Sequence, residues 1–289
     1  MVKKTLFVFI LLFAGYTFTL MLMPGSSVSQ HQWQENVVKG EKYIYNQSDT
    51  ISNVITGSSL ACRIITDELP GFYNLAFAGQ SVFDGLEIIN KTEKAPKNVF
   101  IEINKVFITP SADFTASLFS PLSFNSKKYC ISLRSDKQPL AFIFPAIQNI
   151  FKNKKQVKKS ESDPSTSNSV QKGIFNKMLT MQINEYSQIP DTNLVNKQFL
   201  LLATYAKELK NKGINIVFFE MPLNPGLIEL PLAKFIRANF YKYFPESQYN
   251  YINIPDCSDY VTTDGLHLTD LESGRYTAYF KDGIKKYTP

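Results

Sequence analysis

Val54-Ile55-Thr56-Gly57-Ser58-Ser59, with Leu60 next, is the stretch on which the fold of this chain turns. β-favouring residues run into small ones, which predicts a short buried strand ending in a tight turn, with a helix able to start straight after. In an open α/β sheet such a turn stands at the carboxyl edge, where these folds place their ligands. A Gly-Ser-Ser turn is a common connection in its own right. Its weight therefore depends on what the rest of the chain brings to the same edge.

Working outward, Ile51–Thr56 is the first strand and Leu60–Leu69 a helix stopped by Pro70-Gly71. Phe72–Ala78 is a second strand ending at Gly79, and Ser81 caps a helix over Val82–Thr92. Asn98–Ile103 is a third strand, alternating Val99, Ile101 and Ile103. Strands separated by helices predict a parallel sheet built from right-handed βαβ units. The pattern resumes with a helix over Leu194–Lys212 closed by Gly213, and Ile214–Glu220 is the clearest strand. A helix at Leu232–Phe244, a last strand at Tyr249–Ile254 and a closing helix at Leu271–Lys285 complete it. The fold class expected is therefore α/β with a central parallel sheet. The middle, about 107–190, breaks the alternation and reads as an insertion or lid on one domain. Its 152–170 stretch, a lysine cluster followed by a Ser-rich run, is expected to be mobile.

Ahead of this domain, Lys3 and Lys4 precede an uncharged apolar run, Thr5–Met23. That length comes close to the ~20 residues needed to cross a bilayer. The expectation is an uncleaved, single-pass signal anchor with a cytoplasmic tip and everything after Pro24 exported, periplasmic or extracellular, with cleavage within Gly25–Ser29 as the alternative. Residues 24–50 read as a stalk, and His31 within it is a poor candidate for buried chemistry. The domain proper then covers 51–289.

Hydrophobic residues make up 44% of the 289 and charged residues 19%, which excludes a globally disordered chain. Net charge is +6, but Lys152, Lys154, Lys155, Lys158 and Lys159 sit together without interleaved aromatics. The basic character is one loop, so no nucleic acid is expected as a partner. The cysteines are Cys62, Cys130 and Cys257, an odd count that leaves at least one unpaired. With no CxxC spacing and His31 and His267 as the only histidines, a zinc site of the usual kind is not expected. No cofactor or metal is implied.

Ser59, Gly79, Asn104 and the pair Asp264/His267 all follow predicted strands, so a parallel sheet brings them to one edge. Their types suit acyl transfer. A serine hydroxyl needs a base, histidine has a suitable pKa, and a carboxylate such as Asp264 fixes the imidazole tautomer. The Ser59 and Gly79 backbone N–H groups and the Asn104 amide would serve as oxyanion donors. Glu87 is expected at the surface. Glu220 ends a strand on this edge and would line the site.

These residues resemble the blocks of the SGNH (GDSL-like) hydrolase superfamily. Its Gly-Asp-Ser-Leu block is matched by Gly57-Ser58-Ser59-Leu60. Its glycine block is matched by Asn74–Gly79, its Gly-x-Asn-Asp block by Glu102-Ile103-Asn104-Lys105, and its Asp-x-x-His block by Asp264-Gly265-Leu266-His267. Ser58, Glu102 and Lys105 depart from that pattern. The resemblance covers Ile51–Asn104 and about Ile214–Lys285. It implies a flavodoxin-like αβα domain and an esterase or acyltransferase with Ser59, His267 and Asp264 as catalytic residues. It further implies a divergent envelope branch acting on small, acetyl-sized esters of a surface glycan, beside a membrane-bound O-acyltransferase. The alternative is a non-catalytic scaffold for such an acyltransferase or for a glycan-assembly complex. A third reading, a lipid esterase or thioesterase, would need an apolar groove, which Phe114, Phe119 and Phe124 could line, though core packing is the better reading of those residues.

Overall fold

A computed structural model describes residues 2–22, 32–45, 50–93, 95–138 and 164–288, with backbone alone at 19–22 and 164–171. In chain order its elements begin with α1 (Val2–Leu22), α2 (Gln32–Tyr45), β1 (Asn53–Thr56), β2 (Phe72–Asn74), α3 (Val82–Lys91) and β3 (Asn98–Glu102). They continue with α4 (Ala112–Phe119), α5 (Pro121–Tyr129), α6 (Pro164–Tyr186), α7 (Thr192–Asn211) and β4 (Asn215–Phe219). The last are α8 (Pro225–Ile228), α9 (Pro231–Tyr243), β5 (Asn250–Tyr251) and α10 (Asp270–Ile284). The chain divides into two compact units: Met1–Asn46 with Asp113–Glu161, and Gln47–Ala112 with Ser162–Pro289.

The larger unit is built on a five-stranded sheet in the order β2-β1-β3-β4-β5, every pairing parallel. The order is compatible with a flavodoxin-like sheet. β1, β3 and β4 are central strands covered on both faces, which is why Asn53–Thr56 and Asn98–Glu102 are buried throughout. Neighbouring residues of β4 serve opposite faces. Phe219 packs edge-on against Phe280 of α10 with ring centroids 5.1 Å apart, while Phe218 meets Phe240 of α9 at 4.9 Å. Phe100 on β3 joins Phe280 at 5.5 Å. Full burial of such a phenylalanine contributes about 1.5–3 kcal/mol. α7 buries Val195, Phe199, Leu202, Ala206 and Leu209 along one stripe and ends where Gly213 turns with φ +77°.

The strands start in register, Asn53 opposite Asn98 and Asn98 opposite Asn215. Their side chains form a ladder at the amino edge. Asn98 Nδ2 donates to Asn53 Oδ1 (2.7 Å), Asn215 Nδ2 to Asn98 Oδ1 (2.8 Å), and Asn250 Nδ2 to Asn215 Oδ1 (2.9 Å).

Several expected elements are corrected. The helix over Leu60–Leu69 is instead a pair of 3-10 turns, Ala61–Arg63 and Thr66–Glu68. Asn74 Nδ2 takes the carbonyls of Ala61 (2.8 Å) and Ile64 (3.2 Å), and the Ile65 N–H donates to Thr277 Oγ1 (3.0 Å). The bonds a continuous helix needs are thereby diverted. The strand expected to reach Ala78 ends at Asn74, whose own Oδ1 accepts the Ala76 N–H (3.0 Å). The strand expected over Tyr249–Ile254 is Asn250–Tyr251. Glu87 is half-buried, not a free surface carboxylate: it accepts the Tyr205 hydroxyl at 2.6 Å and pairs with Lys91 at 2.9 Å.

In the smaller unit, part of the segment read as a stalk is α2, with Val37, Val38 and Tyr43 buried. Its buried Glu41 accepts Lys127 Nζ (2.7 Å), the Ser135 N–H (2.7 Å) and the Ser135 hydroxyl (2.9 Å). Phe114 packs edge-on against Trp33 at 5.5 Å, and Phe124 lies between Phe119 (5.7 Å) and Tyr45 (5.8 Å). These phenylalanines pack against aromatic neighbours. The apolar run Thr5–Met23 coincides with α1 as far as Leu22. Among the described residues no helix is long and apolar enough to cross a membrane. Met23, His31 and the lysine cluster lie outside the described residues, as does the Ser-rich run up to Asp163; from Pro164 that run is helical. Cys62, Cys130 and Cys257 form no disulfide with one another.

Candidate active site

The turn after β1 is held from below by β3. A Cβ on Gly57 would fall 2.6 Å from the Cβ of Glu102, so the backbone can pass only as glycine. Glu102 Oε2 accepts the Ser58 N–H at 2.7 Å, and Ser58 Oγ accepts the Leu60 N–H at 3.3 Å. Glu102 is fully buried, and burial pushes its carboxyl above the ordinary range against the pull of the Ser58 hydrogen bonds. The clamped turn leaves Ser59 half-buried at the carboxyl edge.

The partner loop comes from the other end of the chain. Thr262 and Leu268 form an isolated antiparallel bridge, and the Thr263 N–H donates to the His267 carbonyl at 2.7 Å. Within it Gly265 adopts φ +96°, a left-handed conformation that favours glycine. This tight turn folds Asp264 back onto its own loop. Asp264 Oδ1 accepts the backbone N–H groups of Leu266 (3.0 Å) and His267 (2.8 Å), and Oδ2 lies 2.7 Å from His267 Nδ1. Burial alone would raise this carboxyl, but the hydrogen bonds from His267 and Leu266 outweigh it and hold Asp264 at about 2. An ionised Asp264 fixes the proton on Nδ1, which turns Nε2 into an acceptor. Ser59 Oγ stands 2.8 Å from Nε2. Serine, histidine and aspartate are thus joined in one line of hydrogen bonds, with the geometry required to activate a hydroxyl.

The expected oxyanion donors are placed less directly. Gly79 sits exposed in the turn after β2 with φ +71°. Asn104 is tied to the loop after β4: its Nδ2 donates to the Met221 carbonyl at 2.9 Å, and its Oδ1 accepts the Met221 N–H at 2.7 Å. One amide hydrogen is committed there, which leaves the second. Glu220 is buried and holds Arg237 in a two-pronged ion pair, Nε to Oε1 at 3.0 Å and Nη2 to Oε2 at 2.8 Å. It shares with Asn104 the lining of a small cavity. Among the described residues no group of three His, Cys, Asp or Glu side chains could hold a metal ion.

Sequence reasoning did not assign the roles of Glu102, Met221 and Arg237. For Glu102 a signal existed. Ser58 and Glu102 are both departures from the pattern the sequence resembles, and they touch each other. Compared with known proteins, the chain matches no family model, no curated protein and no solved structure.

Proposed function

We propose that this chain is a serine esterase or O-acyltransferase of the SGNH type, working on small, acetyl-sized esters of a surface glycan. The observation that carries the reading is the unbroken line from Ser59 Oγ through His267 to Asp264, with steps of 2.8 and 2.7 Å. The parallel sheet with β1 between β2 and β3 supports it, because such sheets bind ligands at the edge where this line stands.

In the reaction, Ser59 Oγ attacks the ester carbonyl as its proton passes to His267 Nε2. The negative charge that develops on the carbonyl oxygen is met by the Ser59 and Gly79 N–H groups and the free amide hydrogen of Asn104. His267 returns the proton to the departing alkoxide, leaving Ser59 acylated. Water or a sugar hydroxyl then gives up a proton to His267 and attacks the acyl carbon; the bond from that carbon to Ser59 Oγ breaks, and His267 returns the proton to Oγ. Asp264 stays ionised and stabilises the transient imidazolium. Tethering through the apolar run at residues 5–23, export of the domain, and work beside a membrane-bound O-acyltransferase belong to the same proposal.

The test is active-site labelling of the full chain with a fluorophosphonate probe, read by mass spectrometry. Stoichiometric modification of Ser59, lost in His267→Ala, is the expected result. A folded protein that takes no label at Ser59 would overturn the mechanism and favour the non-catalytic scaffold.

A further inference from the structure

α6 lays one face along the candidate site. Leu179, Gln182 and Tyr186 are spaced three and four apart and so share that face. Leu179 Cδ1 and Gln182 Cγ lie 3.0 and 3.5 Å from where a Cβ on Gly265 would stand, which packs this face against the loop carrying Asp264 and His267. One turn further on, Tyr186 is 1% exposed and lines, with Asn104, Glu220 and Arg237, a cavity of about 20 Å³.

Two polar atoms on this face have no hydrogen-bond partner among the described residues: the Tyr186 hydroxyl and Gln182 Oε1, both buried. A buried polar group left unpaired weakens a fold, and two on a helix face that packs against the loop carrying Asp264 and His267 call for an explanation. Their chemistry is specific. Gln182 Oε1 only accepts, while the Tyr186 hydroxyl both donates and accepts. Of the charged residues lining the cavity, Arg237 is paired with Glu220. The cavity admits a group about the size of one water, which suits a hydroxyl and excludes an acyl chain.

We propose that this face of α6 is an acceptor subsite, in which hydroxyls of a neutral sugar hydrogen-bond the Tyr186 hydroxyl and Gln182 Oε1 beside Asn104. The subsite rests on the acyl-transfer reading of Ser59 for its purpose, but its occupancy is measurable without turnover. One sugar hydroxyl fills the cavity and satisfies the tyrosine. A second donates to the glutamine nearer the Asp264–His267 loop.

The experiment uses the full chain, its Tyr186→Phe and Gln182→Met variants, and two probes. Cellotetraose is the neutral sugar and tetragalacturonate the charged control. Binding is followed by calorimetry, folding by thermal denaturation, and Ser59 by its fluorophosphonate labelling rate. The expected result is measurable cellotetraose binding that weakens tenfold or more in each variant. The melting temperature should hold or rise by a few degrees, and the labelling rate should change less than twofold. A melting temperature that rises with cellotetraose binding unchanged would show the two groups to be packing defects and overturn the subsite. So would a wild-type chain that binds no cellotetraose, or one that prefers tetragalacturonate. Variant-sensitive cellotetraose binding in a chain whose Ser59 takes no label would uphold the subsite while the acyl-transfer reading falls.

Discussion

At the amino edge of the sheet, asparagines from β1, β3, β4 and β5 hydrogen-bond one another in a row. At the carboxyl edge of the same strands the polar groups are arranged for something else. Asp264 is held ionised, Ser59 faces a histidine acceptor, and the Tyr186 hydroxyl has no partner among the described residues. The residue types are similar in polarity and the backbone is the same. What differs is the role. One edge pairs its side chains along the strands and so contributes to stability, while the other joins a serine, a histidine and an aspartate in the line on which the proposed chemistry rests.

Substitutions at the two edges should therefore have opposite signatures. The largest effect is expected for Ser59→Ala, which should lower ester turnover on the order of 10⁴-fold or more while leaving the melting temperature nearly unchanged; p-nitrophenyl acetate hydrolysis and thermal denaturation would measure both. Asp264→Asn should come next, with a loss on the order of 10³–10⁴-fold because the histidine loses its tautomer control. The same carboxyl also ties stability to acidity. With Asp264 at about 2, below its unfolded value, its contribution is present above the ordinary carboxylate range and is lost as pH falls toward 2. Urea titrations of wild type against Asp264→Asn should converge at low pH, from a difference of about 1–2 kcal/mol near neutrality.

The ladder should show the reverse. Asn98→Ala strands Asn53 Oδ1 and Asn215 Nδ2 and should cost about 1–3 kcal/mol in urea denaturation with turnover unchanged. A loss of activity equal to the loss of stability would break the contrast between the edges.

Glu102 sharpens the contrast, since it lies on β3 yet holds the Ser58 N–H. Its carboxyl is raised by burial, so its contribution is fully present below the unfolded value and declines as pH rises through the folded one. Glu102→Gln should accordingly gain on wild type as pH rises from 4 to 8, by less than the ladder variant loses. The smallest effect is expected at the exposed end of the ladder, where Asn250→Ala should cost about 0.5 kcal/mol.

The elements that the sequence made legible are those in which side-chain chemistry and backbone period agree. β4 reads as a strand because Ile216, Val217, Phe218 and Phe219 are apolar on both faces, and both faces are covered. Asp264 and His267 could be paired because they stand three apart in one loop, and the structure closes that loop at Gly265 with φ +96°. The Leu60–Leu69 segment was misread because its apolar content suits a helix. The decision was made by Asn74 and Thr277, distant residues that take its carbonyls and an N–H. Asn104 was legible as a polar residue at the right edge, but not its attachment to Met221, which depends on where another loop passes. Tyr186 gave no signal, since an aromatic at the end of a helix most often packs. Its position becomes informative only once the hydroxyl is seen to lack a partner among the described residues.

The hydrogen bond between Ser59 and His267 joins residues 208 positions apart. Viewed in time, that separation is a delay. At a synthesis rate of about 5–20 residues per second, the nucleophile turn emerges roughly 10–40 s before the histidine it depends on. On the proposed mechanism the hydroxyl is an ordinary serine through that interval, and a prematurely terminated chain would carry Ser59 without the histidine. The order of the two residues along the polypeptide would then delay reactivity until the Asp264–His267 loop has been made.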